Sequence, residues 1–464
     1  MSGPPNYAYQ AAYRYLRGLV DSAPAGHKLP SLRQLARRLD VSVSTTKYAY
    51  ALLEDEGRVV ARAKFGYFTR GAVSVPLEPG SGALLDRVFS SARQPGMLAL
   101  SSDAPALLLS LDKPLLALER ELLRQYPHAA MPLYQPLGEP PLRAALAERY
   151  TRSLANAWQA EDVYVGADLR TVLGLALKAL ALGDSVAVVE SPCSWAVLRQ
   201  LQAAQIRVVE IPLHACGRVD LARLQRILQD EPVRLAVFSS TWSSPHGSAM
   251  PDADKRQIAA WLTQRAIWLF ENDSYGELGF SAAGLRFRDC VEPARVLVFG
   301  AFDKLIGAEA PYGYVLCRGQ NVALQRVFLE QAARLSPSRQ RAIARLFGSL
   351  RFEAHLKQLR SLLQARMQRM GELLAQHCAR QLRVVAPVGG ATFWAEAIAP
   401  VEMRQVCERL LAQGIVIAPG ELFSAQGQWP RHLRLSYTLD WQQDIGQALE
   451  CLARAIDAEA QLTP

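Results

Sequence analysis

Cysteine is sparse in this chain, with seven residues in 464, an odd number, scattered and with no C-x-x-C pair. This argues against a disulfide framework and predicts buried free thiols in a reducing cytoplasm. No apolar run reaches the roughly eighteen residues of a membrane-spanning helix. The opening "MSGPPNYAYQ" lacks the basic-then-apolar pattern of a secretory leader, so neither membrane insertion nor export is expected. Internal repeats and low-complexity segments are absent as well. Half the residues are hydrophobic and 20% are charged, the balance of a globular protein. The length suits two or three domains.

Charge is plentiful, and it is unevenly placed. Residues 1–70 carry eleven Lys/Arg against five acids, an excess of six, and the rest of the chain supplies only three more of the net +9. A small basic module joined to a large near-neutral body implies that one part meets nucleic acid. A merely solvated basic surface is the alternative that charge alone leaves open.

Within that module Tyr9, Ala12, Tyr13, Leu16, Leu19 and Val20 recur at helical spacing and predict an amphipathic helix over 7–21. "LPSLRQLARRLD" follows, with Ser31 as N-cap and Gln34 three residues on, a capping box opening a short second helix. After a tight "DVS" corner, "VSTTKYAYALLEDEG" predicts a third helix that starts polar and ends near Gly57. "RVVARAKFGYFTR" then reads as two short strands around Gly66. These parts make a winged helix-turn-helix, in which the third helix enters the major groove and the wing holds phosphates. The stretch "LPSLRQLARRLDVSVSTTKYAYALLEDEGRVVARAKFGYFT" resembles the GntR-family pattern across the whole module. That resemblance implies DNA contacts from Arg33, Ser44, Thr45, Thr46, Lys47, Tyr48 and the wing at Gly66. Val43 stands where many members have arginine, so base preference does not carry over.

The module is assigned residues 1–72, and the Gly/Pro/Ser-rich segment at 73–92 is expected to be a linker. From 93 to 464 apolar, β-branched runs alternate with helical stretches. The strand-like runs are 162–165, 185–189, 207–211, 234–238, 266–270, 295–299 and 312–317. This predicts an α/β body with a largely parallel sheet, its large part at about 130–320 and a small α+β part at about 345–464. In such a sheet, ligands bind just beyond the carboxyl ends of the strands. Those positions hold "GADLR", "ESPCSW", "SSTWSSPHGS", "ENDSYGEL" and "GAFDK".

Their order resembles the fold-type I aminotransferases that bind pyridoxal 5'-phosphate, and specifically the MocR group of regulators, in which such a domain follows a GntR module. "SSPHGSAMPDADKR", "ENDSYGEL" and "GIVIAPGELFSAQG" with "HLRLSYT" carry the likeness, which runs from about 95 to 455. It implies a cofactor site at Lys304, Tyr275, Asn272, Ser244, Gly166, Ala167 and Asp168, and a ligand-carboxylate site at Arg434. The site departs from the family at several positions. Asn272 replaces the aspartate that pairs with the ring nitrogen, although Asp273 could serve after a one-residue slip. Ser244 replaces an asparagine, Ala301 a serine and Pro311 an arginine. With Asp168, Asp303 and Glu309 expected near the phosphate, a group of close to two negative charges meets more acid than base, which implies weak or lost binding. Lys304 then has two readings, residual aldehyde capture or an ion pair with Asp303 or a neighbouring acid. Trp195 is expected in the core or pocket wall, and His246 in a loop without metal partners.

The reading is a cytoplasmic, homodimeric DNA-binding regulator that senses a small molecule through a degraded aminotransferase-like site. An active aminotransferase with an accessory DNA module is the alternative, disfavoured by Asn272, Ala301 and Pro311.

Overall fold

The computed structural model describes residues 8–22, 27–55, 59–62, 66–69, 81–125, 134–154, 157–282 and 284–462. The chain divides into two units, Met1–Ala83 and Leu84–Pro464.

In the first unit α1 (Ala8–Ser22), α2 (Leu32–Leu39) and α3 (Val43–Asp55) precede an antiparallel pair, β1 (Val59–Arg62) and β2 (Gly66–Thr69). The α2 capping box forms as expected, since Ser31 Oγ accepts from the Gln34 amide at 3.3 Å and Gln34 Oε1 accepts from the Ser31 amide at 2.9 Å. Asp40, at φ 51°, ends the helix and turns the chain into α3. Ala12, Leu16, Leu35, Ala49, Tyr50 and Leu53 are fully buried and form the core of this unit. Tyr50 stacks on Tyr67 at 4.1 Å and donates to the Pro30 carbonyl at 2.6 Å, which ties the hairpin to the helices. Gly57, where α3 was expected to end, and residues 63–65 at the wing tip lie outside the described residues.

The expected linker is only partly irregular. Residues 71–80 lie outside the described residues, but 81–91 form a helix, α4 (Ser81–Ser91), with Leu84, Leu85 and Val88 buried in the body. Its Gly and Ser residues obscured the short apolar stripe. Next come β3 (Leu98–Ala99), α5 (Asp112–Gln125) and α6 (Pro140–Tyr150). The alternating region follows as β4 (Val163–Gly166), α7 (Leu169–Ala179), β5 (Val186–Ser191), α8 (Trp195–Ala203), β6 (Arg207–Pro212), α9 (Leu221–Asp230), β7 (Val233–Ser239), α10 (Asp252–Gln264), β8 (Trp268–Asn272), β9 (Val296–Ala301) and β10 (Gly313–Cys317).

Among the described residues these seven strands form one sheet, in the order β4-β10-β9-β8-β7-β5-β6. It is parallel from β9 through β6, and β10 runs antiparallel to both its neighbours. The strands are buried on both faces between two hydrophobic clusters, which is why they read as continuous apolar runs. Register pairs Ser239 with Asn272 and Asn272 with Phe299, so β7 and β8 finish level and β9 runs two residues further.

The chain continues through α11 (Asn321–Gln331), α12 (Pro337–Phe347) and the 28-residue α13 (Leu350–His377). The small part holds β11 (Leu382–Val384), β12 (Thr392–Ala397), α14 (Met403–Leu411), β13 (Ile415–Val416), β14 (Ala418–Pro419), β15 (His432–Ser436) and α15 (Ile445–Ala460). Its antiparallel sheet has the order β11-β12-β15-β14, and β13 pairs in parallel with β3. The early segment at 98–104 is thereby stitched to the small part. The cysteines are unpaired. Cys193, Cys317, Cys378 and Cys407 are buried and Cys290 and Cys451 half-buried, but Cys216 is exposed, contrary to the expectation for all seven.

Candidate functional site

A cleft of about 900 Å³ opens at the carboxyl ends of β8 and β9. The sequence-predicted Asp168, Ser244, Asn272, Tyr275 and Lys304 all line it, together with Ala301 and Pro311. Gly166 and Ala167 precede it at the end of β4 and are not among its lining residues. Gly166 is packed so closely that an added Cβ would sit 2.6 Å from Val172 Cγ1. The wall opposite comes from α4, the turn after it and α8, through Phe89, Arg93, Trp195 and Arg199. Trp195 packs edge-on against Phe89 at 4.8 Å, a wall residue as expected. An inner recess of about 220 Å³ shares Phe89, Asp103, Trp195 and Lys304 with the cleft and reaches Arg434.

At the floor, Lys304 Nζ donates to the Asp103 carbonyl and lies 3.7 Å from Asp103 Oδ1 and 3.9 Å from Asp303 Oδ2. Arg434 is buried on β15, paired across from Trp394. Its Nη1 meets Asp103 Oδ2 at 3.3 Å, its Nη2 donates to the Ser101 carbonyl, and its guanidinium lies over the Phe423 ring at 4.9 Å. Burial lowers the Arg434 pKa from its ordinary value, and the Asp103 charge works in the opposite direction. Asp103 therefore links the two cations that the sequence had singled out separately. Sequence reasoning missed it, because it sits some 200 residues before Lys304 in "LSSDAP", a stretch with no chemical signature.

At the far end of the cleft the helix terminus is already capped, and the lining aspartates are matched by as many cations. Asp168 is the N-cap of α7, and its Oδ1 accepts from the Thr171 amide at 2.7 Å. Burial raises its pKa, but hydrogen bonds from Thr171 and the Arg170 partner at 3.2 Å outweigh that and leave it below the usual carboxylate range. The helix terminus thus spends an anion-binding amide on its own carboxylate. Asp303 faces the same cleft, and Pro311 offers no charge. Glu309 does not take part as expected, since it is drawn away to Arg339 at 2.9 Å. Arg199 brings an opposing positive charge from α8. These residues do not fit a doubly charged phosphate ester as the motif positions of the family would.

Asp273 does not slip into the ring-nitrogen position. It points into a buried network, where its Oδ2 accepts from the Tyr150 hydroxyl at 2.7 Å and from Arg288 Nη2 at 3.2 Å. Arg288 also holds Glu271 at 3.1 Å. Burial raises the Asp273 pKa, yet Arg288 and Arg286 bring it below its ordinary value. Asn272 is left facing the cleft, its Oδ1 accepting from the Ser274 amide at 3.1 Å. His246 lies in a loop as expected, its Nδ1 2.7 Å from Ser248 Oγ. It lines a separate cavity of about 340 Å³ with Trp394, Trp429 and His432. Among the described residues no cluster of His, Cys, Asp and Glu could hold a metal.

In the first unit Arg33, Ser44, Lys47 and Tyr48 are exposed and Thr45 is half-buried. Ser42 Oγ organises the start of α3, 3.0 Å from the Thr45 amide, 2.8 Å from Ser44 Oγ and 2.7 Å from Thr45 Oγ1. Thr46 departs from expectation. It is fully buried and donates to the Ser42 carbonyl at 3.2 Å, because its position on α3, one turn before the buried Ala49 and Tyr50, faces the core. It supports the helix and has no exposed surface for DNA. Gly66 adopts φ 104°, in the left-handed region that favours glycine, at the entry to β2.

Residues 112–451 match the model of the aminotransferase class I and II family. The chain is similar to the uncharacterised HTH-type transcriptional regulator YdcR of Escherichia coli, 27% identical with 97% of this chain and 98% of that one covered. It is also similar to the HTH-type transcriptional regulator TauR of Rhodobacter capsulatus, 23% identical over 93% of this chain and 92% of the other. The 2-aminoadipate transaminase of Thermus thermophilus is 24% identical, with 78% of this chain and 91% of the enzyme covered. Among solved structures, the Pyrococcus horikoshii kynurenine aminotransferase superposes with a TM-score of 0.74 at 20% identity, covering 83% of this chain and 96% of that one, a likeness of fold.

Proposed function

Because the chain belongs to the aminotransferase class I and II family and resembles MocR-type regulators along nearly its whole length, we propose that it is a DNA-binding transcriptional regulator whose aminotransferase-like body senses a small ligand. One observation carries this reading. The regulator match extends over 97% of the chain, first unit included, whereas the transaminase match extends over 78%.

In this reading residues 1–72 bind double-stranded DNA. Ser44, Thr45, Lys47 and Tyr48 at the exposed start of α3 face the major groove, Arg33 holds phosphate, and the Gly66 wing holds the neighbouring backbone. Residues 93–464 hold the effector site and pair as a homodimer that presents two DNA modules to two half-sites. Pyridoxal phosphate is the ligand that the aminotransferase fold implies, and it would supply an aldehyde for Lys304 and an electron sink. The self-capped start of α7, Ala301 and Pro311 in place of serine and arginine, and the neutral amide of Asn272 support weak retention and poor catalysis. No common amino acid and keto acid pair should be turned over measurably in a coupled assay with excess cofactor. Robust turnover that depends on Lys304 would instead favour the aminotransferase.

The regulator reading is tested by selecting duplexes from a random pool with the full chain, then measuring affinity by fluorescence anisotropy across salt. An enriched motif is expected, with affinity falling steeply as salt rises. Arg33→Ala should weaken binding to all sequences, and Thr45→Ala should alter preference more than general affinity. A pool without an enriched motif, or salt-independent binding, would sink the reading.

A further inference from the structure

The cleft floor contains two cationic side chains, Lys304 and the buried Arg434, and one carboxylate, Asp103, touches both. A buried guanidinium lining a cleft is a natural receptor for a carboxylate. Here that seat is already taken from within the chain. Asp303 adds a second negative charge on the other side of Lys304, 3.9 Å away, so the four side chains balance without a ligand.

Asp103 is also held firmly in place. The Ser436 amide donates to the Leu100 carbonyl at 2.8 Å, Ser102 Oγ donates to the Thr438 carbonyl at 2.8 Å, and the Ala104 amide donates to Thr438 Oγ1 at 3.2 Å. These bonds bracket the residue on both sides and fix its backbone against the small sheet. Asp103 Oδ1 is buried and makes no hydrogen bond among the described residues, its neighbouring cation being Lys304 Nζ at 3.7 Å. The Asp303 carboxylate, by contrast, lines the cleft with 43% of its side chain exposed, open to an incoming cation.

We propose that Asp103 is a specificity-determining residue that fills the carboxylate seat of the cleft, so that the site takes small primary amines lacking a carboxylate and rejects amino acids. The amine's ammonium group pairs with Asp303 at the open side of the cleft, whereas a ligand carboxylate placed at Arg434 would lie against Asp103, like charge against like. This deepens the effector-site reading above and rests on the cleft being a ligand site, but it does not depend on DNA binding.

The test uses calorimetric titration of the full chain with matched pairs, L-phenylalanine against 2-phenylethylamine and L-lysine against 1,5-diaminopentane. The unmodified protein should bind an amine at least about tenfold more tightly than its parent amino acid. Asp103→Asn, which keeps the shape and removes the charge, should reverse that preference, and Asp103→Gly should do the same if the asparagine side chain obstructs the seat. Circular dichroism establishes that each variant is folded. The proposal is overturned if the unmodified protein prefers the amino acids, if both variants leave the preference unchanged, or if no probe binds any of the proteins. A reversed preference in a protein that selects no DNA motif would uphold this inference and remove the regulator reading instead.

Discussion

His246 and His432 share one cavity wall, and their surroundings set a pH response at the scale of single residues. Burial pushes both imidazoles down to about 4, with His432 adding to the effect on His246 and Arg431 adding to that on His432 against the pull of Glu396. Trp394 stacks on His432 at 5.5 Å. Between pH 6.5 and 4 the unfolded chain takes up protons that the folded chain refuses, so stability is present above 6.5 and lost as pH falls through that window. Urea-unfolding midpoints at pH 7, 5.5 and 4 should decline less for the double variant His246→Gln, His432→Phe than for the unmodified chain. The difference should reach on the order of 2 kcal/mol once partial exposure is discounted. Parallel declines would show that the histidines do not carry the effect. At the same scale, Arg288→Leu should be among the most damaging single changes, costing roughly 3–5 kcal/mol in chemical denaturation, because it strands the buried Glu271 and Asp273. A loss below 1 kcal/mol would contradict that.

At the scale of elements, α7 shows how a helix terminus can be turned from a binding site into a self-contained cap. Asp168 offers its carboxylate to the Thr171 amide and so competes with any incoming anion. Asp168→Asn retains a good N-cap residue while removing the charge. It should leave stability nearly unchanged and tighten binding of pyridoxal phosphate by roughly fivefold at low salt, with a smaller gain as salt screens the cleft. The visible absorbance of the mixture, titrated in both proteins, measures this. An unchanged or weakened affinity would mean that Asp168 does not oppose the phosphate. α4 teaches a different lesson, since eleven residues punctuated by Ser and Gly read as linker, yet Leu84, Leu85 and Val88 bury against the body and the helix walls the cleft.

For the whole molecule, the unequal charge of its two parts and the proposed pairing of bodies yield a joint prediction. The full chain should sediment as a dimer at micromolar concentration, and its selected DNA motif should contain two half-sites. A monomer on a single half-site would discard the paired arrangement while leaving DNA binding intact. Among the described residues no helix is long and apolar enough to cross a membrane.

Local pattern alone was enough for the elements that local physics decides. The Ser31–Gln34 box, the starts of α1, α2 and α3 and the seven strand runs of the body all depend on neighbours within a few positions, and each formed within two residues of its predicted place. Strand ends likewise brought Asn272, Lys304 and Ser244 to one cleft, because parallel neighbours end on the same side of the sheet. Direction and partnership were decided only by the packed chain. Thr46 turned inward because one helical face must cover the core, and Asp273 turned from the cleft because a buried arginine waited on the other side. Asp103 reached Lys304 and Arg434 across 201 and 331 residues, a distance over which sequence pattern carries no information and only the closed fold does.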